Sequence, residues 1–135
     1  KQRFTTEIVF SRCKPVFYHQ YALAKLKVEG YKIAVCSNSI RRSIEIMMGR
    51  ADLEKYLDFY LSNEDVEKSK PDPEIYIKAI DKLKYEPNEC LILEDNENGI
   101  KAAIASGAHL LKVNTVEDVT YLNIINKINE INNYR

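Results

Sequence analysis

The sequence is poor in the features that mark several large classes of protein. It has only three cysteines, Cys13, Cys36 and Cys90. Odd in number and widely spaced, they give neither a zinc-ligand spacing nor a disulfide framework. Cys36 and Cys90 sit in apolar, strand-like runs and read as buried thiols, and unpaired cysteine is compatible with a reducing cytoplasm. There is no excess of either charge, since 20 Lys and Arg balance 20 Asp and Glu. Nothing therefore points to nucleic acid or to an anionic membrane surface. No apolar run approaches the roughly 18 residues of a membrane span, and no signal peptide opens the chain. Internal repeats and low-complexity linkers are also lacking. These absences leave one cytoplasmic domain of 135 residues, long enough to bury about two thirds of its surface around a single core. The chain begins at Lys1 rather than Met and is expected to start inside a longer gene.

What is present is an alternation of short apolar runs with amphipathic stretches. Residues 1–14 are ambiguous: Phe4, Ile8 and Cys13 suit one helical face, and Thr5–Phe10 equally suits a short strand. After Pro15, a helix is expected over about 16–28, with Val16, Leu23 and Leu26 near one side and Gly30 just past its end. The run Tyr31–Cys36 reads as a strand ending in the polar cluster Ser37-Asn38-Ser39. That cluster should cap a helix running to about Met48 and closed by Gly49. A helical turn at 51–57 and a brief strand at Phe59-Tyr60-Leu61 follow. A loop then carries Lys70, Pro71 and Pro73, and Pro73 suits the first turn of the next helix. Leu91-Ile92-Leu93 is a buried strand, Asn96 an N-cap, 97–105 a helix, and His109–Val113 a last strand. In the tail, Val119, Leu122, Ile125, Ile128 and Ile131 recur every third residue as one helical stripe. His19 and His109 have no partner spacing and read as surface or packing residues. Strands alternating with helices argue an α/β fold with a parallel sheet and right-handed crossovers.

The chemistry concentrates at the ends of these strands. Glu94 and Asp95 follow Leu93 directly, and two adjacent carboxylates repel unless a positive group lies between them. The pair reads either as a Mg²⁺ site, held as usual by one or two carboxylates plus phosphate oxygens, or as a solvated acidic turn. In a parallel sheet every strand ends on one rim, so Ser37-Asn38, Lys70 and Glu94-Asp95 can converge there. Together they could bind a phosphate: free N–H groups at a helix N-terminus, a lysine against phosphoryl charge, and a metal clamping its oxygens. Taken singly, Ser37 and Ser39 read equally well as caps and Lys70 as a solvated lysine, although Pro71 and Pro73 stiffen its loop.

The order and wording of three stretches, Tyr31–Ser39 (YKIAVCSNS), Ser69–Tyr76 (SKPDPEIY) and Leu91–Gly107 (LILEDNENGIKAAIASG), resemble the haloacid dehalogenase superfamily, in particular the phosphatases similar to β-phosphoglucomutase. The resemblance covers about residues 15–115. It implies a Rossmann-like parallel sheet with flanking helices, and a Mg²⁺-dependent enzyme acting on a small phosphorylated metabolite through an aspartyl-phosphate. It implies that Ser37 and the Asn38 amide bind the transferring phosphoryl group. Lys70 would bridge that group and the nucleophile, and Glu94 and Asp95 would hold the metal. Asn96 stands where the family often has Ser, and either residue caps a helix.

One departure is serious. The family takes its nucleophile and general acid from an Asp-x-Asp-Gly motif on its first strand, ahead of a mobile cap domain, and no Asp-x-Asp occurs in these 135 residues. By the resemblance, residues 1–14 are the end of the cap or its return linker, and 15–135 the C-terminal part of the core. The missing strand would leave a slot between the strands ending at Ser37 and Glu94, a hazard unless filled, with Thr5–Phe10 a conceivable filler. Without an aspartyl nucleophile, the chain alone is expected to be inactive. The alternative is a non-catalytic phosphate-binding or regulatory module. A phospho-receiver domain fits poorly, because receivers carry their acidic pair early and their lysine last. Dehalogenase chemistry needs no metal and leaves the Glu-Asp pair unexplained.

Overall fold

The computed structural model of the chain describes residues 3–6 and 16–133. Strands and helices alternate along it: β1 (Arg3–Thr6), α1 (Phe17–Val28), β2 (Ile33–Cys36), α2 (Arg41–Arg50), β3 (Phe59–Leu61), α3 (Glu74–Leu83), β4 (Cys90–Glu94), α4 (Glu97–Ser106), β5 (His109–Lys112) and α5 (Tyr121–Asn133). The five strands form one sheet in the order β3-β2-β1-β4-β5, and every pairing is parallel. The expected Rossmann-like α/β architecture is therefore present. No helix among the described residues is long and apolar enough to cross a membrane.

Helices cover both faces of the sheet. Side chains alternate along a strand, so Ile33, Val35, Leu91 and Leu93 face one way, where they meet Leu23 and Leu26 of α1, Ile44 and Met48 of α2, and Ile124, Ile128 and Ile131 of α5. Cys36 and Ile92 face the other way, against Ile75, Tyr76 and Ala79 of α3 and Ala102 and Ala103 of α4. Each fully buried Leu or Ile contributes about 1.5–3 kcal/mol. Strands buried on both faces explain why β2 and β4 read as unbroken apolar runs. Cys36 and Cys90 are buried, as expected, whereas Cys13 lies outside the described residues.

At the centre of the sheet the structure departs from the sequence reading. The assignment of residues 1–14 to a cap or return linker does not hold for Arg3–Thr6, which form the middle strand. Phe4 pairs with Ile33 on one side and Leu91 on the other, and Thr6 with Val35 and Leu93. The driving force is backbone pairing: a strand here satisfies donors and acceptors along two neighbouring edges at once. Of the conceivable filler Thr5–Phe10, only Thr5 and Thr6 are in the strand, and the remainder lies outside the described residues.

Two helix details also differ. Gly49 does not close α2 but sits inside it, and the helix ends at Arg50 with Ala51 as C-cap. Of the stripe expected every third residue in the tail, Val119, Ile128 and Ile131 are buried and Ile125 packs partly buried beside them, whereas Leu122 is exposed and Ile124 is buried in its stead. A helix turns every 3.6 residues, so positions repeated at three drift around the axis and leave the packed face. At the other extreme, α4 follows its sequence signals. Asn96 Oδ1 accepts from the Gly99 N–H at 2.8 Å, and Gly107 adopts φ 86° at the C-cap, a conformation that only glycine reaches without strain. His19 is a packing residue, buried in α1 with Nε2 donating to the Val116 carbonyl at 2.7 Å.

Candidate active site

Because all five strands run parallel, β2 and β4 end on the same rim of the sheet. The loop between β3 and α3 closes over that rim and delivers Lys70. Backbone hydrogen bonds shape the loop. Asp72 N donates to Ser69 O, and the Asp72 carboxylate accepts from Glu74 N, each at 3.0 Å. The Glu74 carboxylate accepts from the N–H groups of Glu67 and Lys68, and those two donors hold it below the usual glutamate range. Pro71, joined to Lys70 by a cis peptide, and Pro73, the N-cap of α3, fix the chain's entry into the helix.

Lys70 ties the three sequence motifs together. Its backbone N–H donates to Asn38 Oδ1 at 3.2 Å. Its ammonium donates to the Cys36 carbonyl at 2.9 Å and to Glu94 Oε2 at 2.8 Å. This ion pair is out of contact with water, with side-chain exposures of 1% and 0%. A buried carboxylate is tolerated only with a counter-charge and hydrogen bonds, and Glu94 has both. Tyr76, also fully buried, donates its hydroxyl to the same Oε2. The tyrosine ring lies under the Lys70 ammonium, 4.7 Å from it to the centroid, at cation–π distance. Behind the carboxylate stands Gly99, where an added Cβ would collide with the Glu94 carboxyl group.

The remaining candidates sit around this buried pair. Ser37 is buried directly beyond β2; its N–H donates to Leu61 O at 3.0 Å and its Oγ accepts from Ser39 N at 3.1 Å. Asn38 is exposed, and Asp95 is half-buried where β4 opens into α4. Ser37, Asn38, Lys70 and Glu94 are thus linked through side chains or adjacent backbone, and Asp95 joins them through its peptide bond to Glu94. The sequence reading of the Ser37–Ser39 cluster as the α2 cap fails. Ile40 is the N-cap residue and offers no side-chain bond. The first helical N–H, of Arg41, is taken instead by Glu64 Oε2 at 2.7 Å. Glu64 comes from the segment after β3 and is ordered there by the capping box of Ser62 and Asp65. Arg41 in turn reaches Asp65 Oδ1 at 2.5 Å. A cap donated from 23 residues away has no local sequence signal.

Tyr76 and Gly99 are the site residues that sequence reasoning passed over. Tyr76 stands six residues beyond Lys70 within SKPDPEIY, on the first turn of α3, but an aromatic at helical spacing reads as core. Gly99 carries only the weak signal of a glycine inside a helix. As for a metal, Glu94 and Asp95 supply hard oxygen donors of the class that suits Mg²⁺, with one Glu94 oxygen already engaged by Lys70 and Tyr76. Among the described residues no cluster of three or more His, Cys, Asp or Glu side chains could form a protein-only metal cage.

Comparison with known proteins agrees with this arrangement. The family model for haloacid dehalogenase-like hydrolases matches residues 2–113. A haloacid dehalogenase-like hydrolase domain-containing protein of Arabidopsis thaliana is 39% identical over 84 residues, 60% of this chain and 27% of that protein. A phosphorylated carbohydrates phosphatase of Thermotoga maritima is 34% identical over 86 residues, 64% of this chain and 40% of that protein. The chain thus spans less than half the length of either relative. Among solved structures, a Thermotoga maritima protein assigned as a β-phosphoglucomutase superposes with a TM-score of 0.74 at 25% identity, covering 82% of this chain and 59% of that one. With a family model spanning most of its length and the family's three motifs joined at one rim, the chain belongs to the haloacid dehalogenase-like hydrolases.

Proposed function

We propose that this chain is the C-terminal core portion of a cytoplasmic, Mg²⁺-dependent phosphatase or phosphomutase that acts on a small phosphorylated metabolite through an aspartyl-phosphate. The observation that carries the reading is the position of Lys70, whose ammonium lies between the end of β2 and the carboxylate of Glu94. A phosphate on this rim would meet a cation already placed and already desolvated, so no reorganisation is needed as charge develops. The Thermotoga maritima relative is a phosphatase for phosphorylated carbohydrates, which supports a phosphorylated small molecule as substrate.

In this reading the Ser37 hydroxyl donates to one phosphoryl oxygen while its lone pair keeps the Ser39 N–H. The Asn38 N–H binds a second oxygen, and its side chain holds Lys70 from behind. Lys70 shares its charge between Glu94 and the incoming phosphoryl group, neutralising the repulsion that would keep an anionic nucleophile away. Glu94 and Asp95 would hold Mg²⁺, which when bound supplies Lewis-acid stabilisation of the phosphoryl oxygens. The nucleophile itself must be an aspartate supplied by sequence other than these 135 residues, which contain no Asp-x-Asp. That absence favours one other reading, a non-catalytic module that binds phosphate through the same rim.

Phosphate release from a panel of phosphorylated sugars, measured on the protein as its natural gene encodes it, tests the proposal. Mg²⁺-dependent hydrolysis that is lost in the Asp95→Ala variant is the expected result. Unchanged activity in that variant removes the metal assignment, and tight phosphate binding without hydrolysis selects the non-catalytic reading.

A further inference from the structure

Lys70 and Glu94 form the core of the site just proposed, yet neither is positioned by its own backbone alone. Both touch Tyr76. The ring of Tyr76 lies under the Lys70 ammonium, and its hydroxyl donates to the same Glu94 oxygen that Lys70 pairs with. The first turn of α3 sets this geometry. Pro73 caps the helix, the Asp72 carboxylate ties down Glu74 N, and Tyr76 two residues later turns into the interface with β4, fully buried. A phenylalanine would fill the same space in the apolar cluster around Cys36 and Ile92. The hydroxyl is therefore surplus to packing, and it donates to a carboxylate of the site. On the opposite side Gly99 leaves that carboxylate just enough room.

We propose that Tyr76 is a positioning residue: its hydroxyl fixes the Glu94 carboxylate toward Lys70 and so limits how much of that carboxylate is available to a divalent cation. The inference rests on the reading of Glu94 and Asp95 as the metal-holding pair. A hydroxyl bonded to a carboxylate oxygen withdraws electron density from it and restrains its rotation, so hydroxyl and cation compete for the same group. Removing the hydroxyl while keeping the ring should leave the fold intact and strengthen cation binding.

The test is Mn²⁺ binding measured by calorimetry on the full natural protein without substrate, for the parent and for Tyr76→Phe, Tyr76→Leu and Asp95→Asn. Tyr76→Phe is expected to bind Mn²⁺ on the order of tenfold more tightly, the effect of one hydrogen bond to a charged group, while its melting temperature falls by several degrees as the buried carboxylate loses that bond. Tyr76→Leu, which also removes the ring from beneath Lys70, should show the same tightening. Mn²⁺ affinity within about twofold of the parent in both Tyr76 variants overturns the inference, whatever happens to the melting temperature. Asp95→Asn separates the two ideas. If it leaves Mn²⁺ binding unchanged, the metal-site reading fails and takes the inference with it; if it weakens binding while the Tyr76 variants do not tighten it, only the role of Tyr76 is lost.

Discussion

Replacing Lys70 by methionine keeps most of the side chain's volume and deletes its charge. Glu94 then remains with no exposure to water and without the Lys70 counter-ion. Removing one partner of a buried ion pair costs about 3–5 kcal/mol, because the other charge is stranded. Tyr76 still donates to Glu94, and a hydrogen bond to a charged group contributes about 1.5–3 kcal/mol. That bond is already made in the parent, however, so it offsets none of the new loss. At about 2–4 °C per kcal/mol for a domain near this size, Lys70→Met should lower the melting temperature by about 6–20 °C. Thermal unfolding followed by far-ultraviolet circular dichroism reads this directly. The Lys70→Met/Glu94→Gln double variant removes the stranded charge with its partner and should recover most of the loss, giving a clear coupling in a double-mutant cycle. A single variant melting within about 3 °C of the parent, or a double variant less stable than the single, would refute the reasoning.

Two further substitutions probe the surroundings of that pair. Gly99→Ala places a methyl group where the Glu94 carboxyl sits; since Lys70 and Tyr76 hold that carboxyl in place, the overpacking should cost about 1–3 kcal/mol and impair activity, as parallel denaturation and phosphate-release assays can show. His19 gives a pH dependence. Burial lowers the affinity of its imidazole for a proton, against the opposing effect of its bond to the Val116 carbonyl. The unfolded chain therefore binds that proton more readily, so stability should decline as pH falls below about 6.5. His19→Gln, which keeps an N–H for Val116, should flatten that part of a urea-midpoint profile between pH 7 and pH 5; an unchanged slope would remove His19 as its source.

How legible the molecule was in its sequence varied with how local each cause is. The strands β2, β4 and β5 announce themselves as apolar runs because the sheet is covered on both faces. Helix α4 is legible from Asn96 and Gly107, whose cap roles depend only on neighbouring backbone. Strand β1 gave no such signal: Arg3-Phe4-Thr5-Thr6 is not an apolar run, and its place depends on pairing with segments some 30 and 90 residues away. The α2 cap was misread for the same reason, since Glu64 arrives from another loop. In α5 the sequence spacing of three competed with the true turn of 3.6, and packing against α1 and the sheet chose Ile124 over Leu122. The candidate site was legible as a set of motifs, and the structure joins Asn38, Lys70 and Glu94 by hydrogen bonds, with Ser37 next to Asn38 in the chain. What the motifs did not carry was Tyr76, because a tyrosine facing a core and a tyrosine bonded to a buried carboxylate look the same in one dimension.

Lys70, held between the end of β2 and Glu94, is proposed to serve phosphoryl transfer. The most direct test is Mg²⁺-dependent phosphate release by the full natural protein, compared with its Lys70→Ala variant under conditions where both remain folded. Hydrolysis of a small phosphorylated substrate by the parent is expected, abolished by chelation and reduced at least about a hundredfold in the variant, on the order of removing one preorganised charge from a transition state. A folded Lys70→Ala variant hydrolysing at the parent rate would contradict it.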